Sequence, residues 1–337
     1  MTSTHHPSPR LFFETAAAYQ QSRALHTAIE LDIFSAVAAD GDADAIAASC
    51  GASPRGVRIL CDFLTISGFL EKTGGRYSVT PDTALFLVSS SPAYLGGTLR
   101  FLHSEPVMQA FASLTTAVRT GGTALPADGT TGKANPVWVD FAIGMMPMVM
   151  GAAERVAEMA QIDADRPIRV LDIAAGHGLY GIKLAQKHPN IEVVALDWPD
   201  VVTVAHENAV KMGVGERHST IAGSAFDADF GGTYDLVLLT NFLHHFDPST
   251  CETLLRRIDA ILNRGGTILT VEFVPNEDRV TPPDSAGFSL VMLASTPHGD
   301  AYTFAEFEAM FKNVGFTRNE ILSIQHTASS LIVSQKV

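Results

Sequence analysis

Leu171-Asp172-Ile173-Ala174-Ala175-Gly176-His177-Gly178-Leu179-Tyr180-Gly181 carries a short apolar run through a glycine turn into a helical pattern. The run Arg169 to Ile173 reads as a buried strand, and Gly181 to Lys187 as the helix after it. Gly176, Gly178 and Gly181 spell GxGxxG, and an acid, Asp197, follows the next strand, Glu192 to Leu196. A dinucleotide fold predicts the same features: glycines for close backbone approach and an acid for the ribose. The motif alone therefore leaves an NAD-dependent oxidoreductase open. Three details favour another ligand. The strand ends in Asp172, and a carboxylate beside the turn suits a positively charged group better than a pyrophosphate. A further station, Gly223-Ser224-Ala225-Phe226, follows a short strand, Ser219 to Ala222. The fourth strand, Tyr234 to Leu239, runs into Asn241-Phe242-Leu243-His244-His245-Phe246-Asp247-Pro248, a segment dense in ionisable groups.

Outward from the turn, strands and helices alternate from Ile168 to the end. Helices are expected at Val201 to Met212, Ser249 to Leu262 and Phe304 to Asn313, with Gly265-Gly266 and Gly315 as stops. The fifth strand is Thr267 to Phe273, and two late strands lie near Asn319 to Ile324 and Ser330 to Ser334. This alternation gives an α/β fold, a doubly wound sheet with ligands at the carboxyl ends of its strands.

Upstream the pattern differs. Leu25, Ala28, Ile29, Leu31 and Phe34 mark one helical face, Asp42 to Cys50 a second helix, and Ser53-Pro54 the cap of a third with a stripe at Ile59, Phe63 and Ile66. Phe69 to Lys72, the turn Gly74-Gly75 and Arg76 to Val79 form a hairpin. Helices followed by a hairpin make a winged-helix pattern. Seven Lys/Arg against nine Asp/Glu over residues 1–100 leave no electrostatic footprint for a phosphate backbone. A structural or dimerising role suits this module better than a DNA-binding regulator. Gly121 to Pro136 is a loop, Val137 to Ala160 a helical stretch, and Asp163 to Pro167 a linker.

The whole chain, 337 residues with 46% hydrophobic and 18% charged, is too apolar for disorder. Its net charge of −13 argues against nucleic-acid binding. Cys50, Cys61 and Cys251 show no metal or disulfide spacing. The first ten residues lack the apolar core of a secretory signal. Phe141 to Ala153 is too short for a membrane span, which needs roughly 20 apolar residues. A cytoplasmic protein without membrane partners is expected.

On the glycine motif, Asp197-Trp198-Pro199, Leu243-His244-His245-Phe246, Gly265-Gly266 and the closing strands, taken in order, residues 168–337 resemble class I S-adenosylmethionine-dependent methyltransferases. With the winged helix, the chain resembles the metal-independent small-molecule O-methyltransferases, both plant caffeic-acid-type and bacterial secondary-metabolite enzymes. The resemblance implies a Rossmann-like methyltransferase domain over 166–337, a helical linker and pocket wall over 106–165, and a dimerisation domain over 1–105. It also implies a homodimer, S-adenosylmethionine as cofactor, no metal, and a hydroxylated aromatic or polyketide-like acceptor.

The resemblance further assigns roles. Asp172, Ala174, Gly176 and Gly178 cradle the methionine half of the cofactor. Ala174 replaces a family glycine, which a methyl group tolerates if φ stays negative. Asp197 accepts the ribose hydroxyls, and Trp198 packs on the adenine. Ser224, with Ala225 and Phe226, stands where the family often has an acid, and Thr240, beside Asn241, where plant members have a lysine. His244 aligns with the catalytic base of plant members, counting back from Cys251. His245 falls on their Asp and Phe246 on their Trp. Glu272 matches the first of two glutamates that orient the histidine. The second falls at Ala301, with Asp300 one residue out of register. The acceptor pocket draws on Phe141, Met145, Met148, Phe288, Met292 and Leu293. A neutral imidazole, pKa about 6.5, suits a phenolic proton of pKa about 10. The missing second glutamate keeps open a C- or N-methyltransferase, or a relative that transfers no methyl group, on the same scaffold.

Overall fold

The computed structural model describes residues 7–126, 129–132, 135–162 and 166–336. Residues 1–6 and most of the expected linker at 163–167 lie outside these. Two compact units form, Met1–Leu99 and Arg100–Val337.

The first unit holds α1 (Arg10–Glu30), α2 (Ile33–Ala39), α3 (Ala43–Ser49), α4 (Pro54–Ile66), the antiparallel pair β1 (Leu70–Thr73) and β2 (Arg76–Val79), and α5 (Pro81–Phe86). Short polar side chains set the helix starts. Asp42 accepts the N–H groups of Asp44 and Ala45, and Ser53 that of Gly56, just before Pro54. Ala28, Ile33, Phe34, Ile46, Val57, Cys61, Leu64 and Tyr77 form the core.

Two expectations change here. Leu25 to Phe34 is not one helix: the chain turns at Asp32, φ 51°, and Phe34 belongs to α2. The stripe on α4 does not pack inward as a core face would. Ile66 is 82% exposed and Ile59 43%, while Val57, Cys61 and Leu64 are buried. On α1, Leu11, Phe12, Phe13 and Tyr19 are exposed as well.

Beyond α6 (Thr98–Leu102), α7 (Glu105–Ala112) and α8 (Leu114–Thr120), the expected helix from Val137 to Ala160 is two helices. They are α9 (Val137–Gly144) and α10 (Met146–Met159), which meet at 66°. Pro147 explains the break: it has no N–H to donate, and its ring excludes the carbonyl four residues back. No single described helix is long and apolar enough to cross a membrane. The bent pair would pass on length and composition, but α10 buries Ala152, Ala153, Val156 and Ala157 against the sheet.

The sheet comprises β3 (Ile168–Ile173), β4 (Ile191–Asp197), β5 (His218–Ala222), β6 (Tyr234–Thr240), β7 (Leu262–Glu272), β8 (Arg318–Ser323) and β9 (Ser330–Gln335), in the order β5-β4-β3-β6-β7-β9-β8. The first five strands are parallel, and the last two pair antiparallel. Crossing helices α11 (Leu179–Lys187), α12 (Pro199–Lys211), α13 (Pro248–Asp259), α14 (Pro283–Ser295) and α15 (Phe304–Asn313) complete the unit. Val170, Leu236 and Leu238 enter the core on one face, and Leu171, Ile173, Val237 and Leu239 that on the other. This is the period-two alternation of strands covered on both sides. The helix expected to reach Leu262 stops at Asp259, and β7 already starts at Leu262, shifting register between Tyr234 and Leu236. Strand order reverses between β3 and β6, which opens a crevice at their carboxyl ends.

Candidate active site

The turn after β3 lies at that crevice. Ala174, Gly176 and Gly178 take φ of 53°, 57° and 74°. The condition of a negative φ at Ala174 is therefore not met: the turn imposes the left-handed conformation, and the alanine adopts it under strain. At Gly178, the first residue of α11's cap, a Cβ would stand 3.1 Å from the Ala205 side chain. At Gly181 one would stand 2.7 Å from Val193. His177 is buried, and burial lowers its pKa to about 4. Its Nδ1 accepts the Leu179 N–H, and its carbonyl accepts a hydrogen bond from Asn208 on α12.

Two carboxylates flank the turn. Asp172 is buried at the end of β3. Its Oδ2 accepts the Gly181 N–H, its Oδ1 has no partner, and burial raises its pKa to about 7. Asp197, ending β4, accepts the N–H groups of Gly176 at 2.9 Å and Trp198 at 2.7 Å. Burial raises its pKa to about 6, against the pull of those two bonds. Its carbonyl accepts the Gly223 N–H, which ties the Ser224 station to it. Ser224 Oγ accepts the Phe226 N–H, and Ala225 is buried in the core. Thr240 ends β6, buried. Asn241 follows with φ 52° and a sealed, unpartnered Oδ1.

A 3₁₀ turn, Leu243–His245, caps β6. His244 Nδ1 meets Glu272 Oε2, at the end of β7, at 2.5 Å, both side chains buried. Glu272 Oε1 accepts the N–H groups of Phe242 at 3.0 Å and Leu243 at 2.8 Å. Asp247, not His244, caps α13 by accepting the Thr250 N–H. Ala301 is fully buried and supplies no carboxylate. Asp300 turns to Arg279 at 3.2 Å, while its N–H donates to the His244 carbonyl.

Aromatic rings surround the histidines. Phe288 meets His244 edge-on at 4.8 Å and stacks on Phe273 at 4.1 Å. Trp138 meets His245 edge-on at 5.3 Å. Trp138 and Phe273 were not singled out in the sequence, because nothing local distinguishes them from core aromatics. Phe141 lies over the glycine turn, stacked on His177 at 6.2 Å and 3.6 Å from a Cβ built on Gly176. Met292 is buried and Met145 partly so, but Met148 is 54% exposed and does not line an enclosed pocket. Among the described residues, no group of three His, Cys, Asp or Glu could hold a metal ion.

The family model of the O-methyltransferase domain matches residues 131–317, and that of the O-methyltransferase dimerisation domain matches 13–89. The chain belongs to the S-adenosylmethionine-dependent O-methyltransferases. It is 30% identical to the 3-hydroxy-5-methyl-1-naphthoate 3-O-methyltransferase of Streptomyces sahachiroi, over 91% of this chain and 89% of that one. A crystal structure from Nostoc punctiforme, described as that of a candidate O-methyltransferase, superposes with a TM-score of 0.94. The two are 48% identical, over 98% of this chain and all of the other. PigF of Serratia, solved with SAH, gives 0.86 and 26% identity over 98% of this chain and all of its own.

The methyl donor of this family is S-adenosylmethionine. The crevice fits it. The sealed Oδ1 atoms of Asp172 and Asn241 lack partners, and the left-handed turn presents bare backbone at Gly176 and Gly178 beside them. The donor is cationic and rich in hydroxyls, and the crevice offers carboxylate and amide oxygens that suit such a group.

Proposed function

We propose that this enzyme methylates a hydroxyl of an aromatic or polyketide-like small molecule, with His244 as general base. The observation that carries this reading is the 2.5 Å contact of His244 Nδ1 with Glu272 at the carboxyl edge of the sheet. The S. sahachiroi relative, named for a hydroxynaphthoate acceptor, supports the substrate class.

When bound, S-adenosylmethionine supplies an activated methyl group on a sulfonium. Asp172, Ala174, Gly176 and Gly178 hold its methionine end, and Asp197 accepts the ribose hydroxyls. Trp198, Ser224, Ala225 and Phe226 flank the base, with Thr240 and Asn241 closing the crevice. Phe141, Met145, Met292 and Phe288 wall the acceptor space. Glu272 accepts the Nδ1 proton of His244, so Nε2 keeps its lone pair and takes the acceptor's hydroxyl proton. Glu272 then stabilises the imidazolium, as the carboxylate of a triad does. With the second glutamate absent, Glu272 and the Asp300 N–H on the His244 carbonyl hold the histidine in place. Residues 1–105 build a homodimer, 106–165 the pocket wall, and 166–337 the donor site.

The test is transfer of a labelled methyl group to hydroxylated aromatics, with the product located by mass spectrometry and NMR. An aryl methyl ether is the expected product. SAH binding without transfer to any hydroxyl would replace this reading with C- or N-methylation, which the absent carboxylate at Ala301 would then explain.

A further inference from the structure

His245 has no part in the chemistry above, yet it is buried beside the base. Its ring centroid lies 4.3 Å from that of His244, with the planes only 35° apart. Its Nδ1 stands 3.2 Å from the Phe242 carbonyl. A carbonyl can only accept, so Nδ1 carries the proton and Nε2 keeps a lone pair. Burial and the neighbouring His244 both push the pKa of His245 well below its ordinary value, so the ring stays neutral.

Both imidazoles are thus anchored through Nδ1, one to Glu272 and the other to the Phe242 carbonyl. The two anchors form one knot, because the Phe242 N–H donates to Glu272 Oε1. In an imidazole the two nitrogens point in well-separated directions, so each Nε2 faces away from the group that holds its own Nδ1. Among the described residues, the sealed polar atoms without partners include His188 Nε2 and His218 Nε2 but neither Nε2 of this pair. Trp138 stands edge-on to one ring and Phe288 to the other, which shapes the flanks for a flat molecule. Two neighbouring hydroxyls on one aromatic ring can each donate to its own nitrogen at about 2.8 Å.

Resting on the O-methyltransferase reading, we propose that His245 is a specificity residue. Its Nε2 accepts a hydrogen bond from a second hydroxyl, ortho to the one that His244 deprotonates, and so selects vicinal dihydroxyaromatic acceptors. An acceptor with one hydroxyl covers this lone pair and leaves it unsatisfied, which is how a polar pocket rejects an analogue.

The experiment compares naphthalene-2,3-diol with 2-naphthol. In the wild type, kcat/KM for the diol exceeds that for 2-naphthol by about tenfold or more. In His245→Phe the ratio falls to within about twofold of one. SAH calorimetry reports whether the variant is folded, and His245→Leu replaces it if it is not. A wild-type ratio near one, or a ratio kept in the apolar variant, overturns the proposal. Binding of both naphthols to the SAH-loaded protein is measured in parallel and requires no transfer. If neither is methylated, the O-methylation reading fails for this class, and binding decides the proposal alone. Tighter diol binding that is lost in the variant supports it; equal binding, or none, overturns it.

Discussion

Glu272 serves His244 twice: Oε2 takes the imidazole Nδ1 at 2.5 Å, and Oε1 takes the backbone N–H groups that shape the turn carrying it. His244→Ala is expected to lower kcat/KM by about 10²–10⁴ while SAH affinity stays within a few-fold. Glu272→Ala goes further, because it also strands buried N–H donors, at about 1–3 kcal/mol each. Denaturant unfolding should therefore show the larger stability loss for Glu272→Ala, and a loss for His244→Ala too, because that variant leaves the buried Glu272 Oε2 without its partner. Near-full turnover in His244→Ala would reduce catalysis to proximity.

Ala174 holds φ 53° in the glycine turn. The left-handed conformation costs an L-residue about 1–2 kcal/mol. A glycine there escapes this strain but costs about 0.4–1 kcal/mol in unfolded-state entropy. Ala174→Gly should therefore raise the melting temperature modestly and leave SAH binding intact. A lowered melting temperature would mean that the methyl group packs well enough to outweigh its strain.

Donor binding should depend on pH through the two flanking acids. Burial raises Asp172 to about 7 and Asp197 to about 6, from 3.8. A raised carboxyl pKa means that the empty pocket holds protons, and the stability they bring is lost as pH rises through those values. The ribose hydroxyls and the positive end of the ligand prefer the carboxylates. SAH affinity should thus be highest above about pH 7, fall as pH drops through about 6, and release protons on binding. Calorimetry in buffers of different ionisation enthalpy measures the release. Asp197→Ala should weaken SAH by about 1.5–3 kcal/mol and flatten the profile. Its loss also frees the Gly176 N–H, so circular dichroism should accompany the measurement.

The outward stripe on α4 and the exposed Phe13 and Tyr19 of α1 lie within the matched dimerisation segment. Sedimentation at micromolar concentration should give twice the chain mass. Ile66→Asp, at a position 82% exposed, should shift the chain toward monomer without unfolding it. A wild-type monomer would leave this face without an occupant.

Strand and turn chemistry was legible in the chain itself. Alternating apolar runs placed β3, β4 and β6 within a residue or two of their observed limits. The acids and histidines at strand ends followed, because a parallel sheet brings its carboxyl ends to one edge. Asp172, Asp197 and His244 stood out this way, while Glu272 was named by the family resemblance, which also supplied the roles of all four. These features depend on backbone sterics and periodicity, which act over a few residues.

Packing decided the rest. The stripe Ile59, Phe63, Ile66 looks the same in sequence whether it faces a core or a partner, and only the position of the hairpin, α1 and α3 turned Val57, Cys61 and Leu64 inward. The left-handed alanine at 174 is tolerated because Asp197, more than twenty positions on, holds the turn through Gly176. Trp138 reaches His245 across about a hundred residues, and Arg279 draws off the carboxylate of Asp300. Sequence spacing carries no information about such meetings, because the energies that select them arise only once distant elements share one interior.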